Sequence, residues 1–469
     1  MDQREEKTGG QAANPLGTAP VGALLRKFAV PSIVAMLVGA LYNIVDQIFI
    51  GQYVGTLGNA ATNISFPLAM ACTSIGLLFG IGGAANFNLH LGRKEYDKAP
   101  YFIGNAVVVL GILGTLLFLV TEIFLHPILV LFGSPADVLP YAATYVRVTA
   151  IGFPFLILTT GGGNIMRADS SPKMAMIVSM TGAILNVILD AFFVIVLRWG
   201  MFGAALATVI GQVVSGLMFL NYMRHFKTRP LLKKHLKPSL PIVLQTASLG
   251  TASCVNQIAM MIMQIILNNS LKHYGLLSVY GESIPIACAG IVTKVNQIFF
   301  AIVIGLAQGS QPIESFNYGA GNYRRVKKTY RVTIIAAFVV SLVAWILFQT
   351  IPQQLLGLFG QGSEEYYEFG TRFFRIFLFF TWANCIQPAT SQFFASVGKP
   401  LRGMFISLTR QIIFLIPLIL ILPLFSGIDG ILFAGPVADI MAAVVAVIMV
   451  RIEFSDMSKK EKNRAIIKG

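Results

Sequence analysis

The sequence predicts an all-α membrane protein with twelve transmembrane helices, arranged as two parallel-repeat six-helix lobes around a central cleft. Three observations predict it. Hydrophobic residues fill 55% of the 469 positions and charged ones 12%, a balance that excludes a disordered chain and does not suit a soluble globular domain. The apolar residues gather into runs that can cross a hydrocarbon core about 30 Å thick, which takes about 20 residues of helix. Motifs of the first half then return in the second at a nearly constant offset. The net charge of +15 lies between the apolar runs, so it predicts a lipid bilayer as partner and no nucleic acid.

Twelve apolar segments stand at roughly 28–50, 60–89, 101–125, 141–166, 174–197, 203–223, 238–267, 284–316, 329–351, 367–394, 403–424 and 430–450. Segments two, seven, eight and ten exceed a straight crossing and should tilt, kink or project beyond the bilayer. The expected organisation is an N-terminal tail (1–25, without structure), an N-lobe (26–223), a basic linker (224–237), a C-lobe (238–451) and a C-terminal tail (452–469). All Lys and Arg except Arg147, Arg198, Lys272, Lys294, Arg372, Arg375 and Arg410 fall in loops and tails on one face. The positive-inside rule makes that face cytoplasmic, with both termini inside a multi-pass protein of the cell (inner) membrane. No signal peptide is evident at the polar N-terminus. Cys72, Cys254, Cys288 and Cys385 lie singly in apolar segments and read as small core residues.

Ile75-Gly76-Leu77, Gly80, Phe87-Asn88 and Gly92 recur as Ile304-Gly305-Leu306, Gly309, Phe316-Asn317 and Gly321, all at an offset of 229. Pro172 and Met176 match Pro400 and Met404 at 228, and Gly203 and Ala207 match Gly430 and Ala434 at 227. An offset holding six spans returns the chain to the same side, so the halves are parallel copies, and rocking of two such lobes can expose a cleft to either side in turn. Gly76 and Gly80, like Gly305 and Gly309, form Gly-x-x-x-Gly patterns whose first use is close helix packing.

Acids inside the spans carry the chemistry. An Asp at mid-span costs about 2.5 to 3.5 kcal/mol on insertion scales, so one retained there usually faces a polar cavity. Asp46 lies 19 residues after Lys27 and Asp190 17 after Lys173, which puts both at a similar depth, about 28 and 25 Å from the basic boundary. Tyr42 stands four residues before Asp46 and Asn186 four before Asp190, each on its acid's face. Two carboxylates in one low-dielectric cavity cannot easily both ionise, so such a pair can load and release a proton. The same oxygens also suit Na+, the metal ion considered at Asp46, Asn186 and Asp190, and the residues by themselves do not separate the two ions.

The second half has no matching acid pair. Its segments seven and ten carry Asn256, Gln257, Gln264, Asn384, Gln387 and Gln392, and coupling should be asymmetric. Lys294, Glu314, Arg410 and Asp439 are the remaining charges near or inside its spans; they pair with one another, sit near helix ends or touch substrate. The candidates for lining the substrate cavity are Tyr42, Asn164, Gln257, Gln264, Lys294 and Asn384. No Gly-x4-Gly-Lys-Ser/Thr run is present, so an ion gradient rather than ATP should drive uphill work. The five histidines show no metal-ligand spacing and no nucleophile partner, and neither an enzyme nor a bound cofactor is expected.

Leu-Tyr-Asn-Ile-Val-Asp46-Gln-Ile-Phe-Ile-Gly in the first span, Leu-Asn186-Val-Ile-Leu-Asp190 in the fifth and Gln308-Gly-Ser-Gln-Pro-Ile-Glu-Ser-Phe-Asn-Tyr-Gly-Ala in the eighth together resemble patterns of the multidrug and toxic compound extrusion (MATE) family. The resemblance runs from about residue 24 to 450. It implies two six-helix lobes and export of amphiphilic, often cationic compounds in exchange for H+ or Na+, with antibiotic resistance as a consequence and a monomer as the expected state. The acid in the first span and the Asn-x-x-x-Asp in the fifth are similar to the DinF-like branch, which implies ion coupling at Asp46, Asn186 and Asp190, with Thr208 lining that site and Asn164 a further candidate. The NorM-like branch carries acids in spans seven and ten that this sequence lacks. The nearest alternative is a lipid-linked saccharide flippase of the same superfamily plan, a function that usually favours a basic cavity.

Overall fold

The structure is a computed structural model that describes residues 14–54, 56–132, 134, 138–281, 283–358 and 363–468. Its main helices are α1 (Val21–Tyr53), α2 (Thr56–Gly92), α3 (Ala99–Ile123), α4 (Leu139–Ala150), α5 (Phe153–Ala168), α6 (Pro172–Asp190), α7 (Gly200–Met223), α8 (Leu240–Leu276), α9 (Ser283–Gly319), α10 (Tyr323–Thr350), α11 (Glu364–Phe377), α12 (Thr381–Asn384), α13 (Ile386–Ser396), α14 (Pro400–Leu408) and α15 (Ile428–Lys468). Among the described residues ten helices are long and apolar enough to cross a membrane, and α4 with α5 makes an eleventh crossing bent by 58°. The remaining crossing, the predicted segment 367–394, is divided among α11, α12 and α13 rather than forming one rod.

Local chemistry explains the starts and breaks. Pro100, Pro140, Pro172, Pro241 and Pro400 lie in the first turns of α3, α4, α6, α8 and α14, where a missing N–H breaks no helical bond. The bend between α4 and α5 falls at Ile151-Gly152, two residues before Pro154, which cannot donate to the Ala150 carbonyl. A π-helical stretch, Ala191–Val196, follows Asp190 directly, and another, Thr409–Leu415, continues α14.

The two expected tails are structured where they are described. Residues 1–13 lie outside the described chain. Asn14 caps a helical turn at Pro15–Thr18 by accepting from the Leu16 N–H at 3.0 Å, and α1 already starts at Val21. The reason is tertiary: Leu16, Leu24, Leu25 and Phe28 are buried against Val303, Leu306 and Ile313 of α9. At the other end α15 runs unbroken to Lys468. Arg325 donates to the carbonyls of Leu16 (3.1 Å) and Ala19 (2.7 Å), while Arg324 pairs with Glu461 (2.9 Å) and Lys327 donates to Ser458 (2.6 Å). Both ends of the described chain therefore meet at one face, which also carries the linker and is called the basic face below.

Each half has its own buried core, one built around Phe79, Phe87, Phe153 and Phe219 and another around Phe348, Phe369, Phe373 and Phe374. The seam between the lobes is tight toward the basic face. A methyl group on Gly82 would lie 1.8 Å from the Thr246 carbonyl oxygen and one on Gly250 1.7 Å from that of Leu78, so α2 and α8 touch backbone to backbone. The Gly-x-x-x-Gly pairs, equivalent in the repeat, serve different contacts. Gly80 packs on Gly161 of α5 within the N-lobe, whereas Gly309 packs on Ala29 of α1 across the seam. Helix α1 thus clings to the C-lobe with its basic-face half and packs against α6 as well.

The linker is held from the N-lobe. Asn105 on α3 donates to the carbonyls of His235 and Lys237, both at 3.2 Å, and accepts from the Ser239 N–H at 2.7 Å. Asp169 accepts from the Lys227 and Thr228 N–H groups (2.8 and 2.7 Å) and from the Tyr222 hydroxyl (2.5 Å). Burial of the His235 ring, with Lys234 beside it, lowers its pKa, and its Nδ1 accepts from the Leu232 N–H at 3.1 Å, as only the neutral ring can.

Candidate functional site

The acid pair converges. Asp46 on α1 is 9% exposed and Asp190, the last residue of α6, is fully buried. The two carboxyl groups lie close enough to interact directly, and both act on the Tyr42 hydroxyl. Asn186, one turn before Asp190, donates from Nδ2 to Thr208 Oγ1 at 3.3 Å, and the Thr208 hydroxyl in turn donates to the Ala204 carbonyl at 3.1 Å. The contact is close because Gly182 on α6 and Gly211 on α7 let those helices meet: a methyl group on Gly211 would come within 2.7 Å of the Gly182 carbonyl oxygen.

The site is rich in acceptors and short of donors. Asp46 Oδ1, both Asp190 oxygens and Asn186 Oδ1 are buried without a hydrogen-bond partner. An oxygen stripped of water and given no N–H or O–H is expensive to bury, and a proton or a small cation shared among several such oxygens relieves the cost. No group of three or more His, Cys, Asp or Glu that could hold a metal occurs among the described residues. The oxygens gathered here are those of a pair of carboxyls, an amide and hydroxyls.

A family model described as MatE matches residues 31–192 and 252–421, one stretch in each lobe. The chain belongs to the MatE family. Among curated proteins it is similar to the "Multidrug export protein MepA" of Staphylococcus aureus (strain MSSA476), 26% identical over 434 residues that cover 92% of this chain and 94% of the relative. The MepA of Staphylococcus saprophyticus is 26% identical over 424 residues, covering 90% and 92%. Among solved structures, "Crystal structure of MATE in complex with MaL6" superposes with a TM-score of 0.88 at 20% identity, covering 95% of this chain and 99% of that one. A Pyrococcus furiosus transporter of the MOP superfamily, described as having "reverse polarity of binding pocket", gives 0.87 at 20% identity, covering 95% and 98%. This MatE chain is thus a multi-pass membrane transporter with the two-lobe fold.

The other predicted residues of this MatE chain separate into distinct places. Asn164 is buried and bonded to the Thr160 carbonyl (3.4 Å) and to Arg167, whose Nη2 donates to Asn164 Oδ1 at 2.7 Å and to Gln308 Oε1 on α9 at 2.9 Å. Asn164 thereby belongs to a knot across the lobe seam, with the acids not among its hydrogen-bond partners. Gln257 points its Nε2 at Met70 Sδ across the cleft at 3.8 Å, and Gln264 bonds Asn268 on its own helix at 3.1 Å. Lys294 is exposed part-way along α9, and Asn384 is buried with its Oδ1 unpartnered. Arg410 and Asp439 pair with each other at 2.6 Å.

Tyr145 was not legible beforehand. It acts on Asp46, Asp190 and Tyr42 and reaches Thr208, yet it lies in an ordinary-looking stretch of span four. It joins the site because the bend after Ala150 sets α4 at its own angle, a feature with only Gly152 and Pro154 as sequence signal.

Proposed function

We propose that this protein is a secondary active multidrug exporter that expels amphiphilic organic compounds, cationic ones among them, in exchange for H+ or Na+ by alternating access. The observation that carries the reading is the donor-poor oxygen cluster of Asp46, Asp190 and Asn186 inside the N-lobe. The multidrug export named for its MepA relatives supports the substrate class. On this reading the basic face is cytoplasmic, both termini lie inside, and the chain works as a monomer. Ion binding neutralises the acids and lets α1 settle against α6; ion release leaves uncompensated charge there and favours a state in which water reaches it. Because α1 also packs on α9 across the seam, the state of Asp46 is linked to the fit of the lobes. On this reading Tyr42 and Tyr145 position the carboxyls, and Gln257, Gln264, Lys294 and Asn384 are the residues assigned to the substrate cavity.

Purified protein in liposomes should accumulate a fluorescent amphiphilic cation under an imposed pH gradient or an imposed Na+ gradient, and Asp190→Asn should lose that uptake while still inserting and folding. Uptake by Asp190→Asn at the wild-type rate would refute the coupling. One observation favours a flippase instead: Lys294 offers an exposed positive charge within a span, which suits an anionic lipid-linked saccharide. Gradient-independent scrambling of such a lipid, with no response to either ion, would select that reading.

A further inference from the structure

A further buried carboxyl, without a cationic partner, lies in the C-lobe. Glu314 is 1% exposed, and neither of its oxygens accepts a hydrogen bond. It stands one turn after Ser310 on α9, and Ser310 and Ser396 of α13 are its polar neighbours. Both serines also bond the backbone. Ser310 Oγ donates to the Ala307 carbonyl and Ser396 Oγ to the Gln392 carbonyl, each at 2.9 Å. Each hydroxyl lies near enough to the carboxyl to interact with it, yet each is bonded to backbone, and both Glu314 oxygens stay short of a full hydrogen bond.

No counter-charge compensates it. Tyr330 on α10, bonded through its hydroxyl to Thr390 at 2.7 Å, is the titratable group that Glu314 acts on. Arg167 on α5 is engaged by Asn164 and Gln308, and His90 on α2 contacts the Asn86 carbonyl (2.8 Å) and Glu95 (3.7 Å). Arg26 and Lys27 on α1 are exposed, and α13 carries no titratable side chain. Among the described residues no cation lies within ion-pairing distance of Glu314. A carboxylate so placed in a membrane interior either takes a proton or finds a cation.

We propose that Glu314, framed by Ser310, Ser396 and Tyr330, is a second proton-binding site that loads and unloads through the basic face. Five residues separate it from the end of α9 at Gly319, about 8 Å of helix, whereas Asp46 and Asp190 lie deep toward the opposite face. The two stations sit at opposite depths in opposite lobes, so opening of the seam at the basic face wets Glu314 and leaves the acid pair covered. The inference rests on the ion-coupled reading above. Na+ is the other cation that such oxygens take, and the test separates it.

Isotope-edited infrared difference spectra of the full-length protein in lipid, titrated with pH at fixed Na+ and with Na+ at fixed pH, read the carboxyl directly. A protonated-carboxyl band that grows as pH falls, is missing in Glu314→Gln and persists in Asp190→Asn is the expected result. Gradient-driven uptake by Glu314→Gln should fall about tenfold, within the usual range of coupling between sites. Identical spectra for Glu314→Gln and wild type, or a band that answers to Na+ and not to pH, overturn the proposal. If Asp190→Asn loses uptake while Glu314→Gln keeps wild-type spectra and uptake, only the second site fails; if neither variant loses uptake, the exporter reading fails with it. Should Glu314→Gln not fold, Tyr330→Phe keeps the carboxyl and must shift the same band, and an unmoved band counts against the site.

Discussion

Asp439 in the C-lobe and the Asp46–Asp190 pair in the N-lobe are buried acids that meet opposite fates. In the C-lobe, Asp439 on α15 receives the Arg410 Nε at 2.6 Å, and Arg410 also reaches Gln411 at 3.2 Å. In the N-lobe, Asp46 and Asp190 face each other with no basic side chain paired to either among the described residues. The repeat makes the contrast sharper. At offsets of 228 and 227, Arg410 and Asp439 correspond to Gly182 and Gln212, so the C-lobe holds an ion pair where the N-lobe holds a close glycine contact and an amide. A charge matched by a fixed partner cements a helix pair; a charge left without one can be matched only by an ion that comes and goes.

The largest effect that could break this contrast is Asp439→Asn. It should destabilise the protein by about 3 to 5 kcal/mol, because it leaves Arg410 charged and unpaired in the interior; thermal unfolding in detergent measures it. Asp190→Asn should instead leave the melting temperature unchanged or raised while uptake disappears, the usual pattern for a site kept strained for function. A drop as large as that of Asp439→Asn would show that the N-lobe acids are structural after all.

Smaller changes sharpen the same picture. Asn186→Ala removes one acceptor and the bond to Thr208, and should weaken gradient-driven uptake by about tenfold without abolishing it. Tyr145→Phe should shift the pH at which uptake is half-maximal and barely change its maximum; an unchanged pH profile would remove Tyr145 from the site. The smallest effect concerns the linker. The pKa of His235 is lowered in the fold, so the unfolded linker binds more protons. The stability it contributes is present above the unfolded value near 6.5 and is lost as pH falls through that region. A spin label at the exposed Leu236 should become more mobile on acidification, and His235→Asn should flatten that response.

Much of the architecture was legible from hydropathy and the repeat, since the bilayer leaves a chain so few choices: apolar runs must form helices whose backbone groups bond internally. Asp46, Asn186 and Asp190 were legible for a related reason, namely that a polar group retained in a span advertises its cost. The division of the tenth span among α11, α12 and α13 was legible only in part: Pro388 cannot donate to the Asn384 carbonyl and marks the break before α13, whereas Leu378-Phe379-Phe380, between α11 and α12, holds no breaking residue.

The amino-acid order by itself marked most of the apolar spans and the duplication into two lobes, because these depend on local transfer energies and on helical rise. Only tertiary structure decided which polar groups meet. Tyr145 reaches the acids through a bend, Arg167 closes on Gln308 across the seam, and Glu314 lies between the Ser310 and Ser396 hydroxyls of two helices. Each of those outcomes depends on the mutual rotation and approach of helices distant in sequence, which no local periodicity encodes.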